Sequence, residues 1–239
     1  MRKNSSHYTF LFAVLLCVCL SSTLSITHML LRDAQQQSRL LDQQKNILVA
    51  AGLKPQTPEQ IQQLFQQQVQ PLVINSQGSI ITGQDPADLE PDSPNLPLYR
   101  IAASQQQGQN SSTLAYVYPI VGKGLWSVLQ GYLAVSPDGR TVVGVSFFEH
   151  EETPGLGGEI SKPWFQNNFI GKHLYEAGKL VGITVVKGKA KDQPNFSRQK
   201  DHMVDGISGA TITGNGVTQM MYNGPQQYEP FFAKLRSRS

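Results

Sequence analysis

Three textures of apolar spacing divide the chain. From Tyr8 to Leu31, "YTFLFAVLLCVCLSSTLSITHMLL", no Asp, Glu, Lys or Arg occurs, and the run exceeds the about 20 residues a helix needs to cross a bilayer core. From Arg32 to Leu53 the apolar positions thin to a helical spacing of Leu40, Leu41, Ile47 and Leu48, which predicts an amphipathic helix stopped by a glycine. A second helix is predicted from Thr57, where "TPEQ" supplies an N-cap, a first-turn proline and an acid, through "IQQLFQQQV". The glutamines between Gln35 and Gln70 read as uncharged helix surface.

From Pro71 onward the period shortens to that of strands. "PLVINSQGSIITG" predicts a hairpin about Ser76 to Gly78, and the acidic, proline-rich Asp85 to Pro97 an exposed loop. "LAYVYPIV", "GLWSVLQGYLAVS" and "TVVGVSFFEH" predict antiparallel strands, the last two joined by the turn Pro137 to Arg140. A glycine-rich loop (Thr153 to Gly158), a helix about Lys162 to Phe169 and a strand "LVGITVVKG" follow. Near the end, Asn223 to Pro225 is expected to interrupt one helix before another, "QYEPFFAKLR". The pattern is α+β without an internal repeat.

The uncharged stretch predicts a membrane anchor. A cleaved signal peptide competes, because Arg2 and Lys3 precede the run and Ser21 and Ser22 are small. A lipoprotein site at Cys17 does not fit, since Leu16 precedes it. Basic residues lie on both sides of the span (Arg2 and Lys3; Arg32, Arg39 and Lys45), so they leave its orientation open. Cys17 and Cys19 are the only cysteines and both lie inside the span, so the remaining chain needs no disulfide to fold. A net charge of +3 with no basic cluster beyond the loose "VVKGKAKD" at Val185 to Asp192 gives no basis for nucleic-acid binding. That run reads as an exposed hairpin or loop rim.

Two segments could carry chemistry. In "EHEETPGLGGEI", Glu149 to Ile160, glycines allow close approach of a ligand, Thr153 offers a hydroxyl and Leu156 an apolar surface. A tight turn with a solvated acidic lip explains the same residues. His150, Glu151 and Glu152 alternate in direction along a strand, which is a poor metal site. In "DGISGATITGNG", from Asp205, glycines and the hydroxyls of Ser208 and Thr211 precede a helix-like stretch. The spacing fits either an anion at a helix start or a plain capped helix. It is neither a Walker A loop nor a dinucleotide fingerprint.

"DGISGAT" resembles the flavinylation motif of FMN-binding domains, whose last threonine carries FMN through a phosphoester; Thr211 is the matching position. "ETPGLGGE" (Glu152 to Glu159) and "GKGLWS" (Gly122 to Ser127) look like two further signatures of the same domain. With the amino-terminal span, "LLDQQKNILVAAGL" and "EPFFAKLR", the chain resembles the C-subunit family of the sodium-translocating NADH:quinone oxidoreductases. The G-subunit family of Rnf-type ferredoxin:NAD oxidoreductases shares the domain and is one alternative; a membrane-tethered anion- or flavin-binding protein without a redox role is the other.

The resemblance implies a cytoplasmic tail (1–7), a transmembrane helix (8–31), a juxtamembrane helical segment (32–70) and a soluble FMN-binding domain (71–239) on the periplasmic side of a bacterial inner membrane. It implies covalent FMN on Thr211, with Asp205, Ser208, Gly209 and Ala210 shaping the phosphate end and Thr213 in reserve. Glu152, Thr153, Leu156 and Gly157 would contact the ring or ribityl chain, and Trp126 joins them as a cofactor-binding candidate. No catalytic residue and no metal ligand of the chain's own is implied. A magnesium-dependent flavin transferase would install the group. Electrons would pass from an iron–sulfur centre to a second covalent FMN on the B subunit, within a complex with subunits A, B, D, E and F that reduces ubiquinone and exports sodium. Small residues such as Ser21, Ser22 and Ser25 would let the single helix dock closely on its neighbours.

Overall fold

A computed structural model describes residues 5–90, 92–103 and 112–237. Tail residues 1–4 lie outside this set. The chain forms two compact units, Met1–Gln43 and Gln44–Ser239. Helix α1, Ser5–Ala50, is continuous, so the predicted span and the predicted amphipathic helix after it are one element. Nothing between Leu31 and Arg32 breaks the backbone ladder; only the side-chain character changes. Over Tyr8–Leu31 its large apolar side chains are exposed. The helix is long and apolar enough to cross a membrane.

In the second unit, the end of α1 buries Ile47, Leu48 and Ala50. Gly52 stops it at φ +85°, with the Gly52 and Leu53 N–H groups donating to the carbonyls of Val49 and Leu48 at 3.0 and 2.9 Å. This paired closure needs a left-handed residue, which glycine supplies without strain. Helix α2, Pro58–Gln68, begins at its predicted cap, the Thr57 side chain accepting from the Gln60 N–H.

Strands β1 (Val69–Ile74), β2 (Ile80–Ile81), β3 (Leu96–Ala102), β4 (Thr113–Lys123), β5 (Val128–Val135) and β6 (Val142–Glu149) form one antiparallel sheet in the order β2-β1-β3-β4-β5-β6. The hairpin at Ser76–Gly78 forms as expected, Asn75 Oδ1 accepting from the Gln77 and Ser79 N–H groups. β3 was hidden by the prolines of the predicted loop. Its period is nonetheless clear: Leu98 belongs to one core layer, while Tyr99 meets Phe65 and Tyr132 across the other face.

Both faces of the sheet are covered. The end of α1 lies on one, where the Ser146 hydroxyl donates to Asn46 at 2.9 Å. The other carries the main core, followed in sequence by short pieces: α3 (Pro163–Gln166), β7 (Tyr175–Glu176), β8 (Lys179–Leu180), β9 (Thr184–Val185), α4 (Phe196–Gln199) and β10 (Met203–Val204). The predicted strand "LVGITVVKG" is thus divided between β8 and β9, with Gly182 at φ +70° between them.

Helix α5, Thr211–Arg236, closes the core and runs unbroken through Pro225 and Pro230, contrary to the expected interruption at Asn223 to Pro225. Each internal proline costs about 3 kcal/mol in an isolated helix; here packing on both sides of each proline outweighs that. Gly216 lies so close to β4 that a Cβ there would overlap the Lys123 carbonyl oxygen. Tyr228 stacks on Tyr118 at 4.2 Å and its hydroxyl donates to the Pro97 carbonyl at 2.8 Å. Phe231 and Phe232 are buried against Tyr116.

Candidate functional site

The parallel pairing of β9 with β10 sets Thr184 beside Met203 and Val185 beside Val204. This register lays the two following loops side by side: the Val186 N–H donates to Val204, and the Gly206 N–H to Gly188, at 3.0 and 2.8 Å. One loop is the lysine-containing rim, the other the start of the Asp205 motif. Ile207 to Ala210 then form a turn closed by the Ala210 N–H on Ile207, with Gly209 at φ +73°. A left-handed third position is the geometry of a type II turn, and it favours glycine.

The turn delivers the chain into α5. The residue capping that helix is Ala210, which has no side-chain acceptor, and no acid stands in the first turn. No side chain therefore caps the first N–H groups from the Ala210 position, which face the loop ahead of the helix. Thr211, the first helical residue, is exposed. It opens on a groove of about 640 Å³ bounded by the Gly206–Thr211 backbone, the Val185–Lys189 loop, Trp164 and Glu159. A volume of this size suits a drug-sized ligand. The Trp164 indole N–H donates to Glu159 at 2.9 Å, which holds the ring at the groove's edge.

Of the predicted site residues, Ser208, Gly209, Ala210 and Thr211 line this groove together. Asp205 points elsewhere. Its Oδ1 accepts from the Ala190 N–H at 2.8 Å and its Oδ2 pairs with Lys189 at 2.9 Å. Burial acts to raise its carboxyl, but the Ala190 N–H and the Lys189 and Lys191 ammonium groups outweigh it and hold it below the usual carboxylate range. Asp205 thus fastens one wall of the groove.

A second group gathers around Glu152, which is 5% exposed. Oε1 accepts from the Leu125 and Trp126 N–H groups at 2.9 and 3.0 Å, and Oε2 accepts from the Thr213 hydroxyl. Gly157 completes the cluster: a Cβ there would stand 2.5 Å from Glu152 Oε2 and Thr213 Oγ1. Burial again works to raise this carboxyl; the Thr213 hydroxyl, the two backbone N–H groups and His150 prevail and lower it. Thr213 is 1% exposed. Glu152 therefore ties the β4–β5 turn, the glycine-rich loop and the start of α5 at one point. The Thr153 carbonyl accepts the Leu156 and Gly158 N–H groups, while its side chain is exposed. Leu156 reaches over the Ser208–Gly209 turn, close enough that a Cβ on Gly209 would lie 2.9 Å from Leu156 Cδ2. The Trp126 side chain is 68% exposed and is not among the groove's lining residues.

The sequence reading missed Trp164, Glu159 and the Val185–Lys189 wall. An apolar ring beside Pro163 and lysines alternating with glycine were the available signals.

The profile of the FMN-binding domain family matches residues 124–224, which contain both clusters. Over 98% of its length the chain is 35% identical to the C subunit of the Na(+)-translocating NADH-quinone reductase of Yersinia pestis, covering 95% of that protein. The chain belongs to the C-subunit family of Na(+)-translocating NADH-quinone reductases. The Pseudomonas aeruginosa C subunit is 32% identical, with 98% of this chain and 97% of the relative covered. Among solved structures, the C subunit of Parabacteroides distasonis superposes with a TM-score of 0.71 at 30% identity, covering 84% of this chain and 96% of the other. The Shewanella oneidensis homologue gives 0.69 at 29%, covering 85% and 99%. These relatives name the quinone-reductase family rather than the Rnf-type alternative, and the chain is a C subunit of an oxidoreductase complex with an FMN-binding domain.

Proposed function

We propose that the chain carries FMN covalently, through a phosphoester to the Thr211 hydroxyl, and serves as a membrane-anchored electron relay in its NADH-quinone reductase complex. The observation that carries this reading is the placement of the exposed Thr211 hydroxyl on the first residue of α5, at the edge of a groove of about 640 Å³. The residues present fit the group. Free first-turn N–H groups and the Lys187 and Lys189 side chains suit a phosphate, while Trp164 and the glycine-lined wall suit a flat ring. The buried Thr213, its hydroxyl held by Glu152, favours Thr211 as the acceptor.

When bound, FMN supplies one- and two-electron chemistry. The chain's residues position it. Gly209 sets the turn that presents Thr211, Asp205 holds Lys189 and the wall, and Glu152 fixes the first turn of α5 through Thr213. An attached group cannot dissociate from so open a site. A flavin transferase would install it from a dinucleotide, and the other subunits, A, B, D, E and F, would deliver and remove electrons while the complex exports sodium. Helix α1 would cross the inner membrane once, with the second unit in the periplasm.

Peptide mass spectrometry across Asp201 to Tyr222, on chain made with the transferase, tests the reading. An FMN adduct on Thr211, lost in Thr211→Ala together with the fluorescence of the denatured band, is the expected result. An unmodified wild-type peptide would overturn it.

A further inference from the structure

Charge is strongly segregated in the second unit. Residues 162–202 carry eight Lys or Arg against three Asp or Glu, whereas the rest of 44–237 carries seven against twelve. Four of these lysines line two neighbouring concavities. Lys172, Lys189 and Lys191 surround a depression of about 400 Å³ that also includes Phe196, Met203 and Val204. Lys187 and Lys189 stand on the wall of the Thr211 groove, so the lysine loop is shared by both concavities. Lys172 Nζ donates to the Lys200 carbonyl at 2.5 Å, fixing that ammonium at the surface. Among the described residues, Asp205 on Lys189 is the acid in ion-pair contact with this group.

We propose that this face is a docking surface for a carboxylate-bearing face of a protein partner, seated beside the Thr211 groove. Interfaces join complementary potentials, which orients the encounter and fixes register. Single exposed ion pairs contribute little; several lysines on one concave face act together. The concavity, with the half-buried Phe196 at its lining, favours a protruding protein surface over a lipid bilayer, which offers anionic headgroups in a plane. The inference goes beyond the proposed electron relay and does not need the flavin.

The test compares the full chain in native membranes with the same chain purified alone in detergent, using a water-soluble lysine-acylating reagent and zero-length carbodiimide cross-linking. A side chain occluded nine-tenths of the time reacts roughly tenfold more slowly. Lys172, Lys187 and Lys191 should show such slowing in membranes, while the exposed Lys54 and Lys123 should not. Cross-links should join the basic face to Asp or Glu of another chain and disappear in Lys172→Glu/Lys191→Glu, whose isolated melting temperature should match wild type. The same protection is expected in Thr211→Ala, so failure here is distinct from failure of flavin attachment. Equal acylation in both preparations, cross-links that survive charge reversal, or protection of the isolated chain by phosphatidylglycerol vesicles alone would each overturn the proposal.

Discussion

Replacing Glu152 by Ala removes the acceptor for three donors at once. The Thr213 hydroxyl is buried, and stranding such a group costs about 1–3 kcal/mol. The Leu125 and Trp126 N–H groups sit on an exposed turn where water can replace the carboxylate, so each loses only about 0.5–1 kcal/mol. The expected total is about 2–5 kcal/mol, a drop in Tm of roughly 4–20 °C at about 2–4 °C per kcal/mol for a domain of this size. Glu152→Gln keeps an oxygen for the two N–H groups and should lose only about 1 kcal/mol. The charge adds a pH signature. Because the native carboxyl lies below its ordinary value, its ionised form stabilises the fold above the carboxylate range, and that contribution is lost as pH falls through the native value. The wild-type advantage over Glu152→Gln should therefore be full at neutral pH, and close as pH falls below the ordinary carboxylate range through the lowered native value. Thermal melts of the full chain in detergent, followed by tryptophan emission across that pH range, measure both effects. A Glu152→Ala melt within a degree of wild type, or a gap that widens on acidification, would refute the assignment of Glu152 as the tie between the three segments.

Gly216→Ala should destabilise the fold by about 2–4 kcal/mol, since its methyl would meet the rigid Lys123 carbonyl rather than a yielding side chain; chemical denaturation detects it. Thr213→Val should be less costly than Glu152→Ala, and the double variant less costly than the sum, by a coupling of about 1 kcal/mol in a double-mutant cycle. Asp205→Ala should leave the global melt nearly unchanged while the Ala190 amide exchanges roughly tenfold faster with deuterium, the result of losing one bond of about 1.4 kcal/mol. Unchanged exchange at Ala190 would mean that Asp205 does not fasten the groove wall.

Much of the fold was legible because the signals are local. Thr57 caps where its side chain and the following proline dictate, Gly52 ends α1, and the Asn75 and Asp138 turns join the strands their alternation predicts. Proline misled in both directions. Pro97 concealed β3, although its neighbours alternate cleanly, and Pro225 suggested a break in a helix that Tyr228, Phe231 and Phe232 hold to the sheet. The site was legible as motifs but not as roles. That Ser208 to Thr211 share a groove follows from their adjacency. That Glu152 binds Thr213, or that Asp205 faces Lys189 rather than Thr211, depends on the parallel pairing of β9 with β10 and on the placement of α5, contacts between distant residues that no spacing encodes.

The unbroken α5 also sets how the proposed attachment point behaves in time. Ligand-bearing segments commonly belong to the parts of a protein that open most readily. Here Thr211 begins the helix that closes the main core, and two residues on, Thr213 is bolted to Glu152. Fraying is stopped almost where it would start. Unwinding α5 past that point requires breaking the Thr213–Glu152 bond and then withdrawing Val217 and Met220 from the interior, so motion at the site is confined to its first two residues unless the folded unit itself opens.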